Sequence, residues 1–393
     1  MPRPVLWLTL LAAAVRLVFV CASAPSSMRY PDAEEYLQIA RHVVAGDGFV
    51  TDDGRQFARG PAYPLFLAAH LATFGAHELP IRATQALLGA LAVPLAWALS
   101  RRVASANASF LTSLYVALDP FLVYFTGLLL VETIYALLVG ASALLLVRLA
   151  EAGRWRDAAL LGVVAGVASL LHAGHLAALV AVALLWPVLV PGSRRWALLA
   201  VYAITAVAAM FPWIERNAER TGRFLPVTAK LGHDLYDALG PGATGGAASE
   251  SVKWPENLPA GELARDEALK QASLRAVRED PLRVLGLVPV KFVRFWNVVP
   301  NYERFRSPVY LAVGLAASLP LFVFCLVGLA RLVRRNLRLC FCLLLIPGVV
   351  CALHLVFEGS VRYRVPIHPL LAAVAAAGLE ILPLRRRETG KPA

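Results

Sequence analysis

The sequence predicts an all-α, polytopic membrane protein with about ten transmembrane helices and further interfacial helices at its outer face. Three observations carry this. Hydrophobic residues make up 59% of the 393 residues and charged residues 16%, against about a quarter charged in an ordinary soluble domain. Apolar runs of about 18 residues or more recur along the whole chain, long enough to cross a bilayer. The arginines fall in short clusters between those runs: Arg101-Arg102, then Arg148, Arg154 and Arg156, then Arg194-Arg195, then Arg331, Arg334, Arg335 and Arg338, and finally Arg385 to Arg387. That is a positive-inside pattern. It accounts for the net charge of +12 without a nucleic-acid partner.

Taken in order, residues 4–22 form the first expected span. Ala22-Ser23-Ala24 looks like a signal-peptidase site, but Arg16 interrupts the apolar region, so the segment is expected to stay uncleaved. Arg16 then faces the bundle interior, either as a structural ion pair or beside a lipid phosphate. Residues 23–60 read as a polar loop with a helix inside it. Asp32 suits the N-cap and Glu35, three residues on, makes an Asp version of the capping box. Leu37, Ala40, Val43 and Val44 give an apolar face, and Gly46 stops the helix. Residues 61–75 are apolar but short, and Pro61 and Pro64 open them, so they are expected at the interface. Residues 80–100, 109–126, 128–148, 157–172, 175–190, 196–214, 308–332, 338–357 and 364–382 then alternate across the membrane. On this reading every arginine cluster and both termini lie on the cytoplasmic side.

The opposite face receives the 23–60 loop, Asp119, the turn near Glu132, His172-x-x-His175, the long segment 215–307 and the loop 358–364. Within 215–307, Gly240 to Gly246 reads as a flexible run. Residues 283–299, with Lys291, Arg294 and Trp296, read as an interfacial helix. The chain is one expected module over 1–382, with core helices in 61–214 and C-terminal helices in 308–382. A short cytoplasmic tail, 383–393, follows. The five cysteines lie in or beside apolar runs without zinc spacing and read as small apolar residues.

The residues able to carry chemistry gather on the outer face. Asp32 with Glu34 and Glu35, Asp119, and Glu132 are carboxylates at a membrane boundary, where an acid is costly unless solvated, paired or metal-bound. For Asp32 and Glu35 the alternative is helix capping. For Glu132 it is a structural pair with Arg16 or Arg59. The basic groups on that face are Arg59, Arg216, Lys230, Arg362 and Arg364. Arg362-Tyr363-Arg364 suits a phosphate clamp, because guanidinium matches phosphate geometry, or an interfacial anchor. His172 and His175 are candidate metal ligands with a carboxylate, or else two histidines at a helix end.

Several stretches, in this order, resemble the bacterial branch of the GT-C superfamily of integral-membrane glycosyltransferases. They are Asp32 with Tyr36 and Gly48-Phe49, and Arg59-Gly60-Pro61-Ala62-Tyr63-Pro64. Arg82-x-x-Gln85 and Asp119-Pro120 through Glu132-Thr133 follow. Then come Pro212-Trp213-x-x-Arg216-Asn217, Gly222-Arg223-Phe224, Gly240 to Gly245, and Arg362-Tyr363-Arg364-Val365-Pro366. That branch groups with the protein O-mannosyltransferases of glycosyltransferase family 39, the lipid A aminoarabinose transferases and the rhizobial galacturonosyltransferases. In many of these relatives two first-loop acids are adjacent, whereas here Ala33 separates Asp32 from Glu34. His172 stands where an arginine is frequent.

The resemblance implies transfer of a sugar from a polyprenyl-phosphate donor to a hydroxyl of a lipid, glycan or protein acceptor. It implies a multi-pass protein of the cytoplasmic membrane with its active site on the periplasmic or extracellular face. It assigns Asp32 as general base, with Glu132 and Glu35 organising the acceptor or a metal. Arg59, Tyr63, Arg216, Arg362, Tyr363 and Arg364 become the substrate and phosphate-binding set. A divalent metal ion is a candidate cofactor, with Glu35, His172 and His175 as its candidate ligands. The competing readings are a transporter or flippase of a lipid-linked intermediate and a non-catalytic relative that binds lipid carriers. A transporter favours internal repeats and ionisable groups at the membrane midplane. Here the charges cluster at one face and no repeat is seen.

Overall fold

A computed structural model describes residues 2–22, 30–247, 251–301 and 305–383. Among them all regular structure is helical. The signal-peptidase-like residues Ser23 and Ala24, the cluster Arg385 to Arg387 and nearly all of the expected tail lie outside the described residues.

Helix α1 (Arg3–Ala22) is a single apolar rod. Arg16 sits in its buried face and donates to the carbonyls of Ala117 at 2.8 Å and Val116 at 3.1 Å. Its guanidinium is thus held by backbone oxygens of a neighbouring helix. Helix α2 (Pro31–Ala45) follows, and Gly46 closes it in the left-handed region. The expected N-cap is corrected here. Pro31 occupies the first helical turn, where its missing N–H and fixed φ are at home, so Tyr30 becomes the cap residue and makes no side-chain cap. Asp32 lies inside the helix, and its carboxylate is free to reach elsewhere.

Helix α3 (Ala62–Phe74) is short and apolar, as expected. Helices α4 (Glu78–Ala90) and α5 (Ala92–Ser100) together make one 23-residue span. Helices α6 (Ala106–Leu118) and α7 (Pro120–Thr126) are bent by 40° at Asp119. The bend has a local cause. Pro120 cannot continue the ladder of α6, and the Asp119 carboxylate caps α7 by accepting from Phe121 N at 2.9 Å. Helix α8 (Glu132–Ala152) carries Glu132 in its first turn. Helices α9 (Trp155–Leu171), α10 (His175–Leu184) and α11 (Trp186–Leu189) are shorter, and α12 (Arg195–Thr221) runs 27 residues through Pro212.

The segment 215–307 folds into α13 (Leu231–Leu239), α14 (Glu262–Glu279) and α15 (Pro281–Trp296). Tyr236, Val252, Leu269 and Ala272 give it a small core of its own. The expected interfacial helix is α15. It turns Leu282, Leu285 and Val293 outward, as a helix lying on a membrane does. The chain closes with α16 (Pro308–Arg335), α17 (Leu337–Val356), the single turn α18 (Val361–Arg364), a 3₁₀ turn at Val365–Ile367, and α19 (His368–Leu379).

Six of these helices are long and apolar enough to cross a bilayer, or seven if α6 and α7 count as one broken span. The other expected spans, 157–172, 175–190 and 364–382, give shorter helices: α9 has 17 residues, and breaks before Pro187 and at the turn through Pro366 leave α10 with 10 and α19 with 12, short of about 20 residues. Helix α19 is nevertheless the innermost element, with every residue from His368 to Gly378 buried. It lies against α16, α5 and α6. Gly328 and Gly378 let α16 and α19 touch backbone to backbone, since a Cβ at either would collide with a carbonyl of the other helix. The outward faces stay apolar, with Trp7, Ile204 and Leu326 each about two-thirds exposed. That suits contact with lipid tails.

Candidate functional site

The site is an ion-pair network assembled from four separate stretches. Asp32, in the first turn of α2, accepts from Arg59 Nη2 at 2.5 Å through one oxygen and from Arg362 Nη1 at 2.6 Å through the other. Arg362, on α18, donates its Nε to Glu132 at the start of α8. Arg59 donates its Nε to Glu35, one turn along α2, and Glu35 accepts from Arg55 Nη2 at 2.7 Å. Three carboxylates therefore face three guanidiniums. The Arg59 guanidinium also lies over the Tyr36 ring, 5.0 Å from its centroid.

Local structure makes these meetings possible. Asp32 and Glu35 lie three apart on one face of α2. Arg59 comes from the loop before α3, where Gly60 passes close under the Leu170 carbonyl; a Cβ at Gly60 would collide with it. That loop is fastened from the segment 215–307. Glu262 accepts from the backbone N–H of Gln56 at 2.8 Å and Phe57 at 3.0 Å. Arg216 donates to the carbonyls of Gln56 at 3.1 Å and Phe49 at 3.3 Å, and lies over the Trp213 ring at 4.5 Å.

Electrostatics follows the pairing. Burial pushes the Asp32 carboxyl up, but Arg362, Arg59 and Lys230 override it and hold it far below the usual carboxylate range. Glu35 behaves alike: burial opposes, and Arg59, Lys230 and Arg55 prevail. Burial raises the Tyr36 hydroxyl to about 12 despite Arg59. Glu358 is the exception: burial dominates and its carboxyl is raised, although the Tyr363 hydroxyl donates to it. The Asp32 side chain is still 27% exposed, so a ligand can reach it from outside. Glu132, at 3%, is sealed.

The residues singled out from the sequence divide into two sets. The structure brings Asp32, Glu35, Arg59, Glu132 and Arg362 together, and Tyr363 lies beside them. Glu132 pairs with Arg362 and not with Arg16 or Arg59, the structural partners expected for it. The other set lies apart. Asp119 is buried and bonded to His368 Nδ1 at 2.6 Å. Arg364 is buried and donates to the carbonyls of Phe295 at 3.0 Å and Asn297 at 2.8 Å. Tyr63 is buried with its hydroxyl on Gln85 at 2.6 Å, its ring edge-on to Tyr36. Arg216 holds the loop from behind, as described. His172 and His175 are not paired in geometry: His172 stacks on Tyr135, while His175 Nδ1 bonds the Tyr135 hydroxyl at 3.0 Å. Among the described residues no three His, Cys, Asp or Glu side chains are grouped as metal ligands.

Three contributors were not singled out from the sequence. Arg55 is one arginine of a charged loop, and its spacing of four from Arg59 was the one available signal. His354 stacks on Tyr363 at 3.9 Å and donates Nδ1 to the Glu358 carbonyl at 2.9 Å. Nothing in the apolar run around it marks that role. His368 likewise sits in an apolar stretch.

Comparison with known proteins agrees with this architecture. Residues 58–214 match the family described as dolichyl-phosphate-mannose-protein mannosyltransferase. The matched stretch contains Arg59, Tyr63, Glu132 and His172, but neither Asp32 nor Arg362. No curated protein matches the sequence. Among solved structures, the apo oligosaccharyltransferase of Archaeoglobus fulgidus superposes with a TM-score of 0.58 at 14% identity, covering 96% of this chain and 50% of that one. The same archaeal enzyme in complex with an inhibitory peptide and a dolichol-phosphate gives 0.56 at 14% identity, with 96% and 50% covered. ArnT from Cupriavidus metallidurans bound to undecaprenyl phosphate gives 0.47 at 16% identity, with 96% and 77% covered. The chain thus spans about half the length of the archaeal enzyme whose fold it shares. It is a polytopic membrane protein that shares the fold of the archaeal oligosaccharyltransferase and, over residues 58–214, matches the mannosyltransferase family model.

Proposed function

We propose that this protein transfers a sugar from a polyprenyl-phosphate donor to an acceptor hydroxyl, at the outer face of the cytoplasmic membrane. The observation that carries the reading is the convergence of Asp32, Glu132 and Arg362. Asp32 and Arg362 are 330 residues apart, and Glu132 and Arg362 are 230 apart. Ionisable groups drawn together from such distances at a membrane boundary are costly unless they work. The archaeal relative was solved with a dolichol-phosphate, which fits a lipid-phosphate donor here.

The chemistry is an exchange of partners. Held by two guanidiniums, Asp32 is ionised but has too little proton affinity to act as a base. A donor phosphate offers Arg362 and Arg59 another anion and releases Asp32. The freed carboxylate takes the acceptor O–H proton. The acceptor oxygen bonds to the anomeric carbon, and the bond from that carbon to the phosphate oxygen breaks. The electron pair leaves on the polyprenyl phosphate, stabilised by the guanidiniums. Glu132 positions Arg362, Glu35 positions Arg59, and Tyr363 lines the phosphate approach. Tyr63, Arg216 and Arg364 support the site from behind. A structure of the archaeal relative carries Zn and sulfate. A resident ion does not fit Asp32, Glu35 and Glu132, because each is already matched by a guanidinium; no step is assigned to one.

The test is transfer of label from radiolabelled polyprenyl-phosphate sugars in membranes containing the wild type or Asp32→Asn. The wild type is expected to transfer. The variant is expected to lose on the order of 100-fold or more while inserting normally. No transfer by the wild type from mannosyl, glucosyl, galactosyl, uronosyl or aminosugar donors would favour the transporter or the carrier-binding reading.

A further inference from the structure

Beneath the ion-pair network is a small cavity lined by Glu132, Tyr135, His172, Gly174, His354 and Tyr363 together with aliphatic side chains. At about 10 Å³ it admits one water or one hydroxyl, not a sugar ring. Two buried polar atoms on its lining residues, Glu132 Oε2 and His172 Nδ1, have no hydrogen-bond partner among the described residues. Leaving such atoms unmatched costs stability.

Both atoms are held in place. The other oxygen of Glu132 accepts from Arg362, which fixes the carboxylate. The His172 ring stacks on Tyr135, with centroids 4.8 Å apart and planes within 9°. Three other groups of the lining are engaged. The Tyr135 hydroxyl is bonded to His175, the Tyr363 hydroxyl to Glu358, and His354 Nδ1 to a carbonyl. A carboxylate oxygen only accepts, while an imidazole nitrogen accepts or donates according to tautomer. A hydroxyl completes both, donating to Glu132 and accepting from His172. An ammonium completes both by donating twice. A carbonyl or carboxylate would set a lone pair against Glu132 Oε2.

Resting on the transfer reading above, we infer that this cavity is the subsite for one hydroxyl or amino group of the transferred sugar. Its position supports the assignment. Glu132 holds with one oxygen the arginine that meets the donor phosphate and presents the other to the cavity. A group inserted there belongs to a ring joined to that phosphate. The ring itself, too large for the cavity, stays outside it. His172 is then a specificity-determining residue, and the site discriminates by hydrogen bonding. Sites built that way reject an analogue lacking the hydroxyl far more strongly than apolar pockets reject a missing methylene.

The test measures binding to the purified full chain. The probes are undecaprenyl phosphate, the same carrier bearing mannose, glucose or galactose, and the monodeoxy analogues of whichever of these binds most tightly. The inference expects the sugar-bearing carrier to bind more tightly than the bare one, and one deoxy position to lose tenfold or more. His172→Phe, which keeps the stack and removes Nδ1, should erase that difference and leave affinity for bare carrier unchanged. His172→Asn, which returns a polar atom near Nδ1, should restore part of it. Equal binding of all deoxy analogues, discrimination that survives His172→Phe, or equal affinity for bare and sugar-bearing carrier overturns the subsite and leaves the transfer reading standing. Binding of no carrier at all overturns both.

Discussion

Arg362 bridges two carboxylates from distant parts of the chain, so its loss should be felt at both. Arg362→Ala leaves Glu132, 3% exposed, as a buried carboxylate without its partner. The expected cost is about 3 kcal/mol of stability, read from thermal or denaturant unfolding in detergent. Glu132→Gln in the same chain removes the stranded charge and should recover much of the loss; no recovery would mean that the pair does not matter to the fold. His42 gives a pH-dependent prediction. It bonds Asp47 at 2.9 Å and Asp52 at 3.0 Å, and these hydrogen bonds raise its pKa. A raised folded-state value means that the clasp contributes fully below the unfolded value of about 6.5. The contribution is lost as pH rises through the folded value. Amide exchange across 46–55 should therefore accelerate as pH climbs from 6 toward 9, beyond the intrinsic rate change, and His42→Gln should flatten that response. At this scale the sequence was only partly readable. Asp32 and Arg59 share a loop, and their charge marked them. Glu132 with Arg362, and Asp119 with His368, meet only through the packing of α8, α18 and α19. No local pattern gives a residue its partner 230 or 249 positions away.

Helices and loops fix where those side chains can point. The start of α2 shows how one residue redirects a carboxylate: Pro31 takes the first turn, and Asp32 moves from the cap position to the network. The acidic, capping-like pattern was visible in the sequence, but proline's preference for the first helical position decided the outcome. Gly60 is the matching device in the next loop. Gly60→Ala should push the backbone off the Leu170 carbonyl and displace Arg59 from Asp32 and Glu35. Transfer is expected to fall by roughly tenfold or more in protein that still inserts and purifies. Unchanged transfer would show that Arg59 is not needed in this exact place. Broken apolar runs were harder to read. The stretches 157–172, 175–190 and 364–382 have the hydropathy of spans, yet α9 stops at His172, and Pro187 and Pro366 break the other two. Hydropathy reports what an element is buried in, not where the backbone ladder stops.

As a whole molecule, the fold class was the most legible feature, because composition and periodic apolar runs depend on the bilayer and not on which helix meets which. The buried position of α19 was not legible, since an all-apolar helix reads the same facing lipid or protein. Its packing rests on the contact between Gly328 and Gly378, and Gly378→Val should lower the unfolding temperature by several degrees, about 2–4 °C for each 1 kcal/mol lost in a domain of 150–250 residues. The proposed sidedness is checked by single cysteines in a background lacking the native five. Arg265→Cys and Arg156→Cys should label with an impermeant maleimide from opposite faces, and labelling from one face would overturn the topology. The central claim is that Asp32 is the base of a transfer whose donor phosphate is held by arginines. The most direct measurement is single-turnover transfer by Asp32→Asn under conditions where donor binding is measured on the same sample. The account predicts donor bound at least as tightly as by the wild type and transfer slowed at least 100-fold. Transfer at the wild-type rate with donor bound would contradict it.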